Sequence, residues 1–257
     1  MVDRTRRALI TASTSGIGYA VAQDLLHRGM TVTVHGRTRE SAAAAAESLD
    51  GDVETLHGDV SRPDEVRALA TQVGTGDFDI LVHCAGPYAE HTYDTATPAD
   101  WESAYQTNVV SAIQFATAAL APMRERGFGR VVFIGTRATR TPIPTMIEYS
   151  AAKAALANAT ISLARTAVAP GVTVNMVSPG VILTPAMRQL FMSRPDAAGR
   201  SWEEIEAALV ADYAPNPQGR LGRAQEIAAL TGFLVSDEAG YINGADIPVD
   251  GGITGTH

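Results

Sequence analysis

Short runs of apolar residues recur along the chain, separated by stretches in which apolar positions return at helical spacing. The runs are Ala8-Leu9-Ile10, Thr31 to His35, Val53 to His57, Ile80 to Cys84, Arg130 to Ile134, Val172 to Val177 and Ala245 to Val249. Most are rich in β-branched residues, and each reads as a strand. Between them the spacing predicts helices over Tyr19–Arg28 (closed by Gly29), over the alanine-rich 41–49, over 102–123, from Ile147 onward and over 224–234. Strand and helix in alternation predict one α/β domain across residues 1–257: a doubly wound, Rossmann-type parallel sheet of about seven strands, covered by helices on both faces. Residues 185–220 mix Pro, Met, Phe, Trp and charges and read as short helices forming a substrate lid. No internal repeat or linker interrupts the pattern.

The turns at the strand ends carry the candidate chemistry. The first strand runs into Thr11-Ala12-Ser13-Thr14-Ser15-Gly16-Ile17-Gly18 and then a helix. A glycine turn between strand and helix lets backbone N–H groups and the positive helix end approach a pyrophosphate. After the second strand comes Gly36-Arg37, where an acidic residue would accept ribose hydroxyls. Here Gly36 leaves room and Arg37 offers a fork suited to a 2′-phosphate, with Ser13 or Ser15 adding a hydroxyl. Asp59 and Val60 end the third strand; Asp59 reads either as an adenine acceptor or as a helix cap, a job Ser61 with Asp64 or Glu65 does equally well. Cys84-Ala85-Gly86 ends the fourth, with glycine allowing close ligand approach. Asn108 stands inside a helix, where its side chain competes for backbone bonds; it reads as a tolerated surface residue or as a deliberate distortion.

Tyr149 and Lys153 are four apart on a predicted helix and so share a face. An ammonium beside a phenol favours the phenolate and lowers its pKa from about 10, which equips the tyrosine for proton exchange near neutrality. Tyr-x-x-x-Lys is a common surface pattern, but composition singles this one out. Of 20 Lys and Arg residues, Lys153 is the one lysine. A compact charge on a flexible stem does what a guanidinium cannot.

Charge and cysteine content narrow the function classes. A net charge of −8 with scattered arginines argues against nucleic-acid or anionic-membrane partners. One cysteine excludes an intrachain disulfide, and a reduced cytoplasmic setting follows as the default. No run approaches the roughly 20 apolar residues of a membrane helix.

In their order and spacing these motifs resemble the short-chain dehydrogenase/reductase family along nearly the whole chain, most like its 3-oxoacyl reductase members. The resemblance rests on the 11–18 loop, Cys84-Ala85-Gly86, Asn108, Tyr149-Ser150-Ala151-Ala152-Lys153, Ser178-Pro179-Gly180 with Thr184, and Asp250-Gly251-Gly252. Three positions depart from the family pattern. Ala12 replaces a glycine, so the methyl requires φ < 0 and an uncrowded pyrophosphate. Cys84 replaces an asparagine that braces the sheet. Thr136 stands where serine is usual and keeps the hydroxyl.

The resemblance implies an NADP-dependent ketone reductase or alcohol dehydrogenase that prefers NADPH over NADH, with no metal. Tyr149 is implied as general acid or base, and Lys153 as holder of the nicotinamide ribose. Thr136 is implied to bond the substrate oxygen, and Asn108 to hold a relay water. The implied cofactor set is Thr11, Ser13, Ser15, Gly16, Ile17, Gly18, Arg37, Asp59, Val60, Cys84, Ala85, Gly86, Tyr149, Lys153, Pro179, Gly180, Ile182 and Thr184. The substrate is expected to be a small carbonyl or alcohol of 3-oxoacyl, polyketide or cyclic ketone type. Tyr88, His91 and Tyr93 follow the fourth strand, where a substrate wall would lie, and Met187, Phe191, Met192, Trp202 and Tyr213 read either as an apolar lid or as plain packing residues. A cofactor-binding sensor with a dead site is the alternative, which the retained Asn108, Tyr149 and Lys153 oppose. A methyltransferase would want an acid where Gly36-Arg37 stands. Small residues on two helices (Ala112, Ala116, Ala119, Ala155, Ala159) exceed what one sheet face can use, and family members pair there, so a homotetramer is expected.

Overall fold

The apolar runs become strands and the periodic stretches become helices in a computed structural model that describes residues 5–86 and 89–255. The order is β1 (Arg7–Thr11), α1 (Gly16–His27), β2 (Thr31–Gly36), α2 (Arg39–Glu47), β3 (Val53–His57), α3 (Pro63–Thr75), β4 (Ile80–His83) and α4 (Pro98–Tyr105). A π-helical turn, Gln106–Val110, leads directly into α5 (Ser111–Arg126), followed by β5 (Gly129–Ile134), α6 (Ile147–Thr166) and β6 (Val172–Pro179). The chain closes with β7 (Ile182–Leu183), α7 (Pro185–Met192), α8 (Trp202–Asp212), β8 (Gly222–Arg223), α9 (Ala224–Leu234) and β9 (Asp246–Val249).

Seven strands form one sheet in the order β3-β2-β1-β4-β5-β6-β9, and every pairing in it is parallel. Strand order reverses between β1 and β4, so a crevice opens beyond their carboxyl ends, where open α/β sheets bind ligands. The two sheet faces bury separate cores. Phe115, Met123, Phe133 and Leu156 fill one with α3, α5 and α6, while Val21, Leu25, Ile227 and Leu234 fill the other with α1 and α9. Burying each such side chain contributes about 1.5–3 kcal/mol.

Local differences from the sequence expectations have physical causes. α2 begins earlier than expected because Thr38 caps it, exchanging bonds with Ser41 in a capping box. α3 starts with Pro63 at its first position and has no side-chain cap. Asp59 instead accepts from the N–H and hydroxyl of Ser61 at 2.9 and 2.7 Å, and Glu65 accepts the Asp59 N–H at 2.7 Å. Ala112, Ala116 and Ala119 are 0%, 0% and 1% exposed. They let α5 sit close on the sheet and are not surplus surface, which corrects that part of the assembly argument. Ala155 and Ala159 are half-buried.

Two histidines lie inside the sheet layer, His35 at 1% and His83 at 0% exposure. Burial lowers the pKa of His35 to about 4, and burial, then the nearby Lys153 charge, hold His83 well below its ordinary value. The unfolded chain therefore takes up protons near pH 6.5 that the folded chain refuses. Stability from these groups is complete above pH 6.5 and is lost as pH falls toward 4, by about 3 kcal/mol for His35. Urea midpoints should fall steadily from pH 7 to pH 5, and His35→Gln should flatten that slope while lowering the midpoint at pH 7. An equal slope in both proteins would remove His35 from the account.

Candidate active site

β1 delivers the chain to the crevice through Thr11. Ala12 then adopts φ 49°, the left-handed region, so the expected φ < 0 is corrected. A side chain there costs roughly 1–2 kcal/mol. The conformation is held by His35, whose Nδ1 accepts the Ala12 N–H at 3.1 Å. Its Nε2 thus carries the proton and donates to the Gly58 carbonyl at 3.0 Å. Crowding falls on Gly18 instead, where a Cβ would stand 2.5 Å from the Ala12 carbonyl oxygen. Ser13 is buried, donating to the Ile10 carbonyl at 2.7 Å and accepting the His35 N–H at 2.9 Å, so its hydroxyl is committed within the turn. Ser15 caps α1 by position, is exposed and makes no side-chain capping bond.

Gly36 does not leave room at the end of β2. A Cβ there would lie 2.6 Å from Ser41 Oγ, 2.8 Å from Thr14 Cγ2 and 3.0 Å from the Ala42 nitrogen. Glycine is required because the N-terminus of α2 and the β1 turn close over it. Arg37 is exposed beside it and has no carboxylate partner among the described residues. At Asp59 burial opposes ionisation, but the Ser61 bonds and the Arg37 and Arg62 charges outweigh it and hold the carboxyl below its ordinary range.

At the end of β4, Thr11 Oγ1 accepts the N–H groups of Cys84 and Ala85 at 3.0 and 3.1 Å, which supplies the brace expected to be missing with cysteine at 84. The Thr11 hydroxyl meets His83 Nδ1 at 3.2 Å, and His83 Nε2 meets Ser111 Oγ at 3.5 Å. Ser111 in turn donates to the Thr107 carbonyl at 2.6 Å. A buried hydrogen-bonded chain therefore ties the first turn to the π-helical turn. Burial raises the Cys84 thiol to about 12, so it is inert as a nucleophile.

Asn108 stands in that π turn, fully buried, with Nδ2 donating to the Ala104 carbonyl at 3.0 Å. The long predicted helix is present, and the asparagine marks where it departs from α geometry, as π turns do at functional sites. Lys153 is 2% exposed. Its Nζ donates to the Ile134 carbonyl at 2.9 Å and lies 5.9 Å from the Tyr149 ring centroid. Burial lowers its pKa to about 8, so the ammonium predominates at pH 7. Gly86 fixes how these groups meet: a Cβ there would stand 2.4 Å from Asn108 Oδ1 and 2.7 Å from Lys153 Nζ.

Thr136 lies two residues beyond β5 and caps the short turn Arg137–Thr139; its Oγ1 accepts the Ala138 N–H at 3.2 Å, which leaves the hydroxyl proton to donate. Thr136, Tyr149, Lys153, Gly86, Cys84 and Ile17 share one cavity of about 750 Å³ with Pro179, Gly180, Ile182 and Thr184. Thr184 caps α7, accepting the Met187 N–H at 3.2 Å. The 185–220 segment forms α7 and α8, and Met187, Phe191 and Tyr213 from it line the cavity. Trp202 packs beneath them in a satellite core, Met192 is 44% exposed, and Tyr93, at 81%, points to solvent. His91 pairs with the buried Glu148; Tyr88 lies outside the described residues. Sequence reasoning missed His35, His83 and Arg137. A histidine closing a β-branched run was the available signal for the first two.

The family described as enoyl-(acyl carrier protein) reductase matches residues 11–254. The chain is a short-chain dehydrogenase/reductase. A 3-oxoacyl-[acyl-carrier-protein] reductase of Haemophilus influenzae is 34% identical to this short-chain dehydrogenase/reductase over 96% of its chain and 97% of the relative. The solved 3-oxoacyl (acyl-carrier-protein) reductase of Agrobacterium tumefaciens C58 with NADP bound superposes with a TM-score of 0.86. It is 30% identical, over 96% of this chain and 94% of that one. L-sorbose reductase of Gluconobacter frateurii, complexed with NADPH and L-sorbose, gives 0.90 at 28% identity over 98% of each. Among the described residues no helix is long and apolar enough to cross a membrane.

Proposed function

We propose that this short-chain dehydrogenase/reductase uses NADP(H) to interconvert a ketone and a secondary alcohol, as a reductase of 3-oxoacyl, polyketide or cyclic ketone type. The observation that carries the reading is the meeting of Gly86, Asn108 and Lys153 at one point, beside a cavity that also holds Tyr149 and Thr136. The residues present fit the cofactor. The α1 N-terminus carries no acidic residue in its first turn and a Ser15 that makes no capping bond, Gly86 keeps the β4 end open, and the exposed Arg37 forms no ion pair among the described residues. When bound, the nicotinamide supplies or accepts the hydride.

The protein's own groups do the rest. Thr136 donates its free hydroxyl proton to the substrate oxygen, and Tyr149 transfers its proton to that oxygen during reduction and recovers it in oxidation. Lys153 has three N–H donors, of which one is held by Ile134, leaving two for the ribose hydroxyls. Its charge favours the phenolate when Tyr149 has given up the proton. Asn108 shapes the helix behind Lys153 and holds the relay water there. NADPH consumption over a library of ketones tests the reading, and the absence of turnover with every ketone would refute it.

NADPH preference rests on Arg37. Its guanidinium fork binds phosphate oxygens in pairs, and although its charge acts on Asp59, it forms no ion pair among the described residues. Arg37→Ala should lower the NADPH-to-NADH ratio of kcat/KM at least about tenfold, roughly 1.4 kcal/mol. Steady-state kinetics with both cofactors measure it, and an unchanged ratio would show that another group reads the phosphate. Replacing Gly36 with aspartate is no substitute for this test, since the side chain has no space.

A homotetramer accompanies this reading. Support now comes from the outward face of α6, where Ala151 and Ala154 are exposed and Ile161 is 46% exposed. Phe233 on α9 and Tyr241 near the edge strand β9 add apolar surface at 41% and 102% exposure. Sedimentation should give a mass near four times the 27.0 kDa chain; a monomer at micromolar concentration would reject it.

A further inference from the structure

We infer that the ketone reduced at this site carries an anionic group, a carboxylate or a phosphate, that pairs with Arg137. The inference rests on the reductase reading and narrows its substrate class. Arg137 follows Thr136 directly, on the short turn Arg137–Thr139 that closes β5. It is half-buried and lines the same cavity as Thr136 and Tyr149. Its side chain has one described contact, the Tyr213 ring, whose centroid is 6.0 Å from Cζ.

Other partly buried arginines of this chain are matched within the protein. Arg126 pairs with Asp77 and Asp79, and Arg223 pairs with Glu206. Arg130 donates to the carbonyls of Ser236, Gly129 and Gly171. Arg137 has no such acceptor among the described residues. The carboxylates on the cavity, Glu90, Asp196 and Asp212, are exposed at its rim, and none forms an ion pair with it. A cation taken partly from water without an acceptor is unfavourable, and an anionic ligand supplies two oxygens to its fork.

Position ties this charge to the chemistry. Arg137 is the residue after the hydroxyl that bonds the ketone oxygen, so carbonyl and anion belong to one small molecule, a few bonds apart. Leu190, Phe191 and Leu209 line the remaining wall, which suits an apolar chain on the other side of the carbonyl. A keto acid with an aliphatic tail meets all three demands; a keto phosphate meets the same charge demand.

Matched pairs of probes test the inference: 3-oxohexanoate against its methyl ester, and dihydroxyacetone phosphate against dihydroxyacetone, each with NADPH. Wild type should favour the anionic member of at least one pair by about tenfold or more in kcat/KM, or 1.4 kcal/mol, and the favoured pair identifies the anion. Arg137→Gln should collapse that anionic-to-neutral ratio by about tenfold, through KM, and Arg137→Lys should restore part of it. Equal use of anionic and neutral ketones by wild type, or a ratio unchanged in Arg137→Gln, would overturn the inference and leave the reductase reading intact. If no ketone turns over, the reductase reading fails, and calorimetry on the cofactor-free protein still decides the charge. 3-Hydroxyhexanoate should then bind at least about tenfold more tightly than 3-hydroxyhexanamide in wild type, with the difference lost in Arg137→Gln; no difference in wild type would overturn the inference.

Discussion

Tyr149→Phe should reduce turnover to below about one per cent of wild type while leaving NADPH binding nearly unchanged. A positioned proton donor is worth roughly a hundred- to ten-thousand-fold in rate, and phenylalanine removes the hydroxyl that carries it. The ring keeps its place on α6 and its position 5.9 Å from the Lys153 ammonium, so packing and the cation–ring attraction both survive. Steady-state assays and a fluorescence titration with NADPH separate the two effects. Retention of more than a few per cent of kcat would mean that another group moves the proton.

Gly86→Ala should have an effect nearly as large, although the added methyl carries no chemistry. The new Cβ would stand 2.4 Å from Asn108 Oδ1 and 2.7 Å from Lys153 Nζ, at a backbone φ of 152° that side chains rarely adopt. Neither neighbour yields freely. Lys153 is bonded to the Ile134 carbonyl, and Asn108 is bonded to Ala104 within a π turn packed against α6. A misplacement of about 1 Å at such a centre costs on the order of a hundredfold in rate. The variant should fold, with a native circular dichroism spectrum and a Tm lowered by several degrees, and lose at least about a hundredfold in kcat. A kcat within threefold of wild type would show that the cluster adjusts and that its tightness is incidental.

The seven main strands were legible because β-branched runs bounded by glycine turns have few other uses, and their parallel pairing followed from strand–helix alternation, whereas their order in the sheet came only from the fold. Tyr149 and Lys153 were legible because a helix converts a spacing of four into one face, and because lysine occurs nowhere else in the chain. What escaped depends on contacts between segments far apart in sequence. The left-handed conformation of Ala12 is held by a histidine on the next strand. The need for glycine at 36 comes from Ser41 and Thr14, which close over it from two sides. The inward alanines of α5 looked like surplus because spacing alone does not say how near a helix sits to its sheet. The isolation of Arg137 is a statement about missing partners, and only a folded chain reveals which acids have gone elsewhere.

The solitary lysine also decides how this protein responds to reagents. Its one ε-amine is buried in the proposed catalytic cluster with a pKa of about 8, so at mildly alkaline pH much of it is the nucleophilic free base. Amine-directed cross-linkers find no lysine on the outer surface. Acylating agents small enough to enter the cavity meet in Lys153 the chain's one side-chain amine. Modification at Lys153 becomes a titration of the proposed active site, and protection by a bound nucleotide would read out its occupancy without any turnover.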